Sequence, residues 1–491
     1  MTRLLVVTFV TLFLVSCDDG GMDQAAQDTA STGTMDMTEV SDTSDTSTEV
    51  ESDDVEKFLS GLNVGARMNI QRVVSAQGIE AWLVHESAVP VIAVEIGFKG
   101  GARRDPQGKE GLAYMLSGLL DEGAGDLDSQ AFQLRLEELA IRLSFETGRD
   151  GFYGSLRTLS DHRDEAFDLL KLALTQPLFD EEPVERIRSQ ILVSLNRDAS
   201  QPRSIVQRKW YETVFAGHLY ARPVKGTPES VNGITADDLR LYLTESLARQ
   251  NMKIAVVGNI SAQELEILLD RTFGSLPAEI EDKEIEQAEI KGQGQILIIE
   301  RDQPQSIATF GGPGLLLDDP DFFAAYVMNY ILGGGGFASR LTEEVREKRG
   351  LAYSVSTYLV PMDFAGLYQG SVATENSRIA QSLDIIRTEM ARMRDAGVTE
   401  EELADAKTYL TGSFPLRFDS NSKIAHQLIG YQMTGRGIDY INTRNDKIEA
   451  VSLEEIARVA KRLLAPEALT VIIVGQPEGI ESNVPDDGVT P

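Results

Sequence analysis

Cysteine is nearly absent: Cys17 is the single one in 491 residues, so no disulfide can close within the chain. Histidine is scarce too, and the four present (His85, His162, His218 and His426) each stand more than forty residues from the next. No two have the helix-face or hairpin spacing that grips one metal ion between neighbours. Positive charge is the third shortage. Forty-six Lys and Arg face 77 Asp and Glu, a net charge of -31 that sets the chain against nucleic acid and anionic head groups. No nucleic-acid partner is expected. The chain is also too long for one ordinary core, and at roughly 150 residues per domain it should hold two to four.

The N-terminal residues predict an address rather than a fold. Met1–Arg3 is a short positive region, and Leu4–Val15 is an apolar run too short to anchor stably across a bilayer. The run ends in Leu14-Val15-Ser16-Cys17, which looks like a bacterial lipoprotein cleavage site. Residues 1–17 then read as a lipoprotein signal peptide, with Cys17 as the lipidated residue and the membrane as a partner through it. The expected location is the bacterial cell envelope, lipid-anchored on the periplasmic side, with inner and outer membrane left open. Residues 18–60 read as an acidic tether. Within it, 18–56 holds thirteen acids, no Lys or Arg, and almost no large apolar side chains. Such a segment cannot bury enough surface to offset its ordering entropy, and self-repulsion extends it.

From about residue 67 the texture becomes alternating strand and helix. "AWLVHES" and "VIAVEIGFKGG" read as strands, then 111–121 and 128–140 as helices, 141–147 and 151–158 as strands, and 161–174 and 183–197 as helices. "NMKIAVVGNI" (251–260) is a buried strand, and the helix after it opens on Ser261 and Glu264, spaced as a capping box. A charged linker follows at 278–293, and the pattern repeats. Strands begin at "GQILIIERDQPQSIATFGG", helices are expected at 319–332 and 339–348, and strands at 351–359 and 365–373. Helices at 376–396, 399–412 and 421–434 lead to "ALTVIIVGQPEG" (468–479), which answers the strand at 251–260. The predicted fold class is α+β. Two homologous halves, 67–280 and 292–480 with a tail at 481–491, each form an antiparallel-rich sheet with helices packed on one face.

Two tracts carry more than a fold: "GFKGGARRDPQGKEGLAYMLSGLLDEGA" and "NYILGGGGFASRLTEEVREKRGLAYSVSTYL". In combination and order they resemble the insulinase/pitrilysin family of zinc peptidases, close to its mitochondrial-processing-peptidase-like bacterial branch, over residues 67–480. The resemblance implies that the halves form half of a clamshell chamber. It also implies an inverted motif, Gly-Leu-Ala-His-x-x-Glu-His, whose two histidines bind zinc while the glutamate acts as base, with a glutamate on a later helix completing the coordination. This chain reads Gly111-Leu112-Ala113-Tyr114-Met115-Leu116-Ser117-Gly118. Tyr114 and Gly118 stand at the histidine positions, Ser117 at the base, and Ser194 at the later ligand. All four positions are replaced, so no cofactor is expected on this chain. Asp121 and Glu122, just beyond, read as a solvated helix end.

The second tract keeps what the first has lost. Arg346 and Tyr353 resemble the family's Arg/Tyr pair, which hydrogen-bonds substrate carbonyls and the tetrahedral oxyanion, and Gly350 between them is suited to ending a helix. Read without the resemblance, they are an Arg on a solvated helix face and a Tyr packed in a strand. "GGGGFASRL" (333–341) lacks the Lys-Ser/Thr of a phosphate loop and is expected to turn tightly beside the chamber. The resemblance implies a non-catalytic, substrate-binding subunit of a heteromeric zinc metallopeptidase acting on unfolded peptides, with zinc in a homologous partner. A peptide-binding or scaffold protein that uses the fold without hydrolysis is the alternative.

Overall fold

The computed structural model describes residues 67–281 and 284–484. The predicted signal segment with Cys17, the tether at 18–60 and the end of the tail at 481–491 lie outside the described residues. Among the described residues, eleven strands fall into two sheets. The first contains β1 (Gln71–Val74), β2 (Glu80–His85), β3 (Val91–Lys99), β4 (Arg142–Thr147), β5 (Gly151–Leu159) and β6 (Met252–Gly258), in the order β1-β2-β6-β3-β5-β4. The second contains β7 (Ile296–Glu300), β8 (Gln305–Pro313), β9 (Ala352–Pro361), β10 (Gly366–Glu375) and β11 (Thr470–Gly475), in the order β7-β11-β8-β10-β9.

With β1 set aside, the two orders are the same: first strand, last, second, fourth, third. The pairing sense repeats as well. First and last strands run parallel in both sheets, β2 with β6 and β7 with β11. The fold is therefore the expected two-halved α+β architecture, and β4 and β9 are equivalent edge strands.

Alternation along the strands sorts side chains to two faces. In the first sheet Ile92, Val94, Ile96, Val256 and Leu156 join helices of their own half in one core. The intervening residues Trp82, Ala93, Ala255 and Val257 pack instead on Ala425, Leu428, Ile429 and Met433 of helix Asn421–Met433, which belongs to the second half. The second sheet does the reverse. Phe310, Val355, Val372 and Ile473 face their own helices, whereas Leu367, Ile472 and Val474 pack on Ile205, Val206 and Trp210 of helix Pro202–Val214 from the first half. Each half lends the other a helix.

Two details fix this exchange. Gly97 in β3 lies under the borrowed helix, where a Cβ would come 2.6 Å from the Met433 sulfur. Gln432 then donates from Nε2 to the Ile254 carbonyl at 2.9 Å, tying the helix to β6. Local signals hold elsewhere. Ser261 caps helix Ala262–Phe273 as predicted, its hydroxyl accepting from the Glu264 N–H, while Glu264 accepts from the Ser261 N–H at 2.9 Å. The Ser261 hydroxyl also donates to the Glu264 carboxylate at 2.7 Å, and this bond, the one from the Ser261 N–H and Arg163 hold that carboxyl down at about 2.

Candidate functional site

Helix Leu112–Ser117 starts on Gly111, whose φ of 93° requires glycine, since a Cβ would meet the Lys225 carbonyl oxygen at 2.6 Å. Asp105 anchors this start, its carboxylate accepting from the N–H groups of Gly111 at 2.8 Å and Ala113 at 2.9 Å. Burial pushes the Asp105 carboxyl up to about 7 despite those bonds. The helix is shorter than the 111–121 expected. Leu119 and Glu122 donate three residues back, to Leu116 at 3.0 Å and Leu119 at 3.2 Å, so the chain tightens out of α-geometry after Gly118.

The solvated helix end expected at Asp121 and Glu122 is corrected by the structure. Glu122 takes both guanidinium nitrogens of Arg186, at 3.1 and 2.6 Å, and its side chain is only 14% exposed. The pair clamps this turn to helix Glu181–Ser200. Burial also lifts the Asp121 carboxyl to about 6. Sequence spacing could not foresee an ion pair across 64 positions.

Tyr114, Ser117, Gly118 and Ser194 line one cavity of about 550 Å³. Its floor is the face of β3, β4 and β5 that carries Glu95, Ser144, Glu146, Tyr153 and Ser155, and His426 of the borrowed helix lines it as well. The four positions converge, but their chemistry does not suit zinc. The Ser117 hydroxyl donates to the Tyr114 carbonyl at 2.8 Å. Ser194 Oγ accepts from Lys225 Nζ at 3.3 Å, an ammonium that also pairs with Asp198 at 2.9 Å. A Cβ on Gly118 would lie 3.3 Å from Ile187 Cγ2, where a larger side chain forces its neighbour to give. A cationic donor at one position, a tight glycine at another and no imidazole at any is not a set that grips a divalent ion. Among the described residues, no group of three His, Cys, Asp or Glu is placed to hold a metal.

Sequence reasoning missed the acids of this cavity. Burial, opposed by a hydrogen bond from Ser155 at 2.7 Å and reinforced by the nearby charge of Glu146, pushes the Glu95 carboxyl up to about 7. Glu95 is the one ionisable residue inside the apolar run of β3, a signal that was there to read. Glu146 and His426 sit 280 residues apart in the chain and carried none.

Arg346 and Tyr353 do not line this cavity. They meet on the second half, the guanidinium carbon 5.2 Å from the Tyr353 ring centroid and 4.7 Å from that of Phe337. Tyr353 is 82% exposed and Phe337 66%. Arg346 lies in a wide π-turn, Thr342–Glu347, and Gly350 (φ 59°) ends it, donating to the Arg346 carbonyl at 2.8 Å. Tyr353 stands near the start of edge strand β9, the counterpart of β4 beside the cavity. The glycine run has a packing role: a Cβ on Gly333 would strike the Thr357 hydroxyl of β9, and one on Gly334 the Asn329 amide. It is not a phosphate cradle.

Two sheets of the same strand order, each covered by helices and each lending the other a helix, mark a duplicated α+β fold. Two family models match, one described as insulinase (peptidase family M16) over residues 82–228 and one as the peptidase M16 inactive domain over 233–410. The chain belongs to the insulinase-type M16 family. A Helicobacter pylori protein named non-peptidase homolog YmxG is 28% identical over 433 residues, covering 86% of this chain and 98% of that protein. A Schizosaccharomyces pombe protein named probable mitochondrial-processing peptidase subunit beta is 26% identical over 417 residues, 82% of this chain and 90% of that one. The crystal structure of a peptidase M16 inactive domain from Pseudomonas fluorescens superposes with a TM-score of 0.79 at 27% identity, over 85% of this chain and 99% of that one. The fold is that of the family, and the solved structure it matches here is named for the family's inactive domain.

Proposed function

We propose that this chain is the substrate-binding, non-catalytic subunit of a two-chain zinc metallopeptidase that acts on unfolded peptides. The observation that carries the reading is the cluster of exposed Tyr353 and Phe337 around half-buried Arg346. Beyond its ion pair with the adjacent Glu347 at 3.4 Å, the Arg346 guanidinium is stacked on a phenol that is itself open to solvent. Facing a second chain, they are donors for a peptide carbonyl and for the oxyanion formed when it is attacked. The metal-activated water then comes from the homologous partner, and neither chain hydrolyses peptides alone.

Two further features support the reading. β4 is an open sheet edge whose Ser144 and Glu146 line the large cavity, so an extended peptide can add to it through main-chain hydrogen bonds. One relative is named as a subunit of a processing peptidase. A lipid anchor at Cys17 would hold the pair at the periplasmic face of the envelope, on the acidic tether. The test mixes the purified chain with a zinc-bearing homologue and follows peptide cleavage with and without chelator. Arg346→Ala and Tyr353→Phe should each lower turnover by tenfold or more while the complex still forms. Full turnover by both variants refutes the assignment. A stable complex with a partner that never cleaves peptide favours the scaffold reading instead.

A further inference from the structure

A second cavity, of about 130 Å³, lies where the halves meet. It shares Glu95, Glu146, Tyr153 and His426 with the larger one, so the two spaces adjoin there. Beyond that junction its chemistry changes sign. Arg417, Arg436 and Arg444 line the smaller cavity and not the larger.

Neither Arg436 nor Arg444 has a carboxylate partner among the described residues. Arg436 is held by rings, its guanidinium carbon 4.3 Å from the Tyr440 centroid and 5.7 Å from that of Phe322. Burial lowers its pKa from the usual arginine value, and the neighbouring Arg444 adds to this. Arg444, 5% exposed, donates only to neutral acceptors: the Leu410 carbonyl at 3.0 Å, the Asn445 side chain at 2.9 Å and the Tyr326 hydroxyl at 3.4 Å. In a chain of net charge -31, two neighbouring arginines without counter-ions are out of character. Buried cations are ordinarily paired. A third polar group points the same way. Asn329 is buried in the same lining, and its Oδ1 has no hydrogen-bond partner among the described residues.

We propose that this cavity receives the C-terminal residue of a peptide, its free carboxylate on Arg436 and Arg444 and its apolar side chain among the aromatic rings. Guanidinium matches carboxylate in charge and geometry. Asn329 Oδ1 is the acceptor for the N–H of the same residue. The volume, about 130 Å³, is close to the roughly 150 Å³ of a cavity that takes benzene, so a leucine-sized side chain fits. The preceding residues then run through the junction into the larger cavity. The peptide as source of the carboxylate rests on the function proposed above; the preference of the pocket for a carboxylate does not.

The probes are N-acetyl-L-leucine and its amide, titrated into the full chain by calorimetry. The acid should bind at least tenfold more tightly than the amide and weaken as salt is raised. Arg436→Gln should weaken the acid tenfold or more and leave the amide unchanged. Equal binding of acid and amide, binding of neither, or undiminished binding of the acid by the variant overturns the pocket. The acid-against-amide comparison on the unaltered chain stands even if the variant fails to fold. A fluorescent decapeptide ending in leucine, free or amidated, then tests the source, and equal anisotropy curves refute the peptide assignment. These titrations need no partner and no zinc, so their failure and a failure of the two-chain assay are told apart.

Discussion

Grafting the ligands of the inverted zinc motif onto the cavity (Tyr114→His, Ser117→Glu, Gly118→His and Ser194→Glu together) should still not give a tight zinc site, and Lys225 is the main reason. Its ammonium lies 3.3 Å from Ser194 Oγ, so it would pair with the introduced carboxylate and face any ion bound there. A single positive charge about 5 Å from a divalent ion costs about 2 kcal/mol at the dielectric of water and about 7 kcal/mol at an effective value near 20. Asp198, 2.9 Å from the ammonium, cancels part of this, so the lower figure is the appropriate one. Adding Lys225→Gln to the graft should therefore tighten zinc by at least tenfold, read by competition with a chromophoric chelator. Gly118→His also presses on Ile187, and Ile187→Ala should relieve that strain in the same background. Affinities within twofold with and without Lys225, or tight stoichiometric zinc in the four-residue graft alone, would show the electrostatic argument to be wrong.

Other outcomes follow from the packing and from burial. Gly97→Ala should cost about 1–3 kcal/mol by pushing on Met433, and Met433→Ala should recover part of it, a non-additivity visible in urea titrations of the double variant. Trp210→Ala should cost about 3–5 kcal/mol by emptying a buried site under the second sheet, measured the same way. Glu95 holds its proton more tightly folded than unfolded, so the native chain loses stability as pH rises from 4.5 through about 7 and bears the full cost above that. Glu95→Gln should thus be up to about 3 kcal/mol more stable than wild type at pH 8 and equal to it near pH 4.5. A difference that grows toward acid pH would contradict the sign.

The architecture was legible because its signals are local. Period-two apolar runs, the Ser261–Glu264 box and the return of one strand pattern after the linker identify two like halves. That Tyr114, Ser117, Gly118 and Ser194 line one cavity accords with the motif alignment, which places the first three on one short helical stretch. What stayed hidden is whatever depends on distant segments meeting. The apolar face of helix Asn421–Met433 reads as a contribution to its own half, and nothing in it says that Trp82 and Val257 are its neighbours. The same holds for Lys225 behind Ser194, for Arg186 on Glu122, and for a cavity lined by Glu95 and His426. The expected α-helix at 339–348 is instead a wider turn at Thr342–Glu347, a difference in hydrogen-bond span that the spacing of apolar residues does not encode.

The swapped helices also dictate an order of assembly. A polypeptide emerging N-terminus first completes the strands of its first sheet by residue 258, yet the cover for one side of that sheet is not made until residues 421–433. For more than 160 residues of synthesis or translocation, Trp82, Ala93 and Val257 lack their lid, an invitation to chaperones and to aggregation alike. Cutting the gene at the linker would leave both fragments with a bare apolar flank, so co-expression, rather than separate purification, is the route to reconstitution.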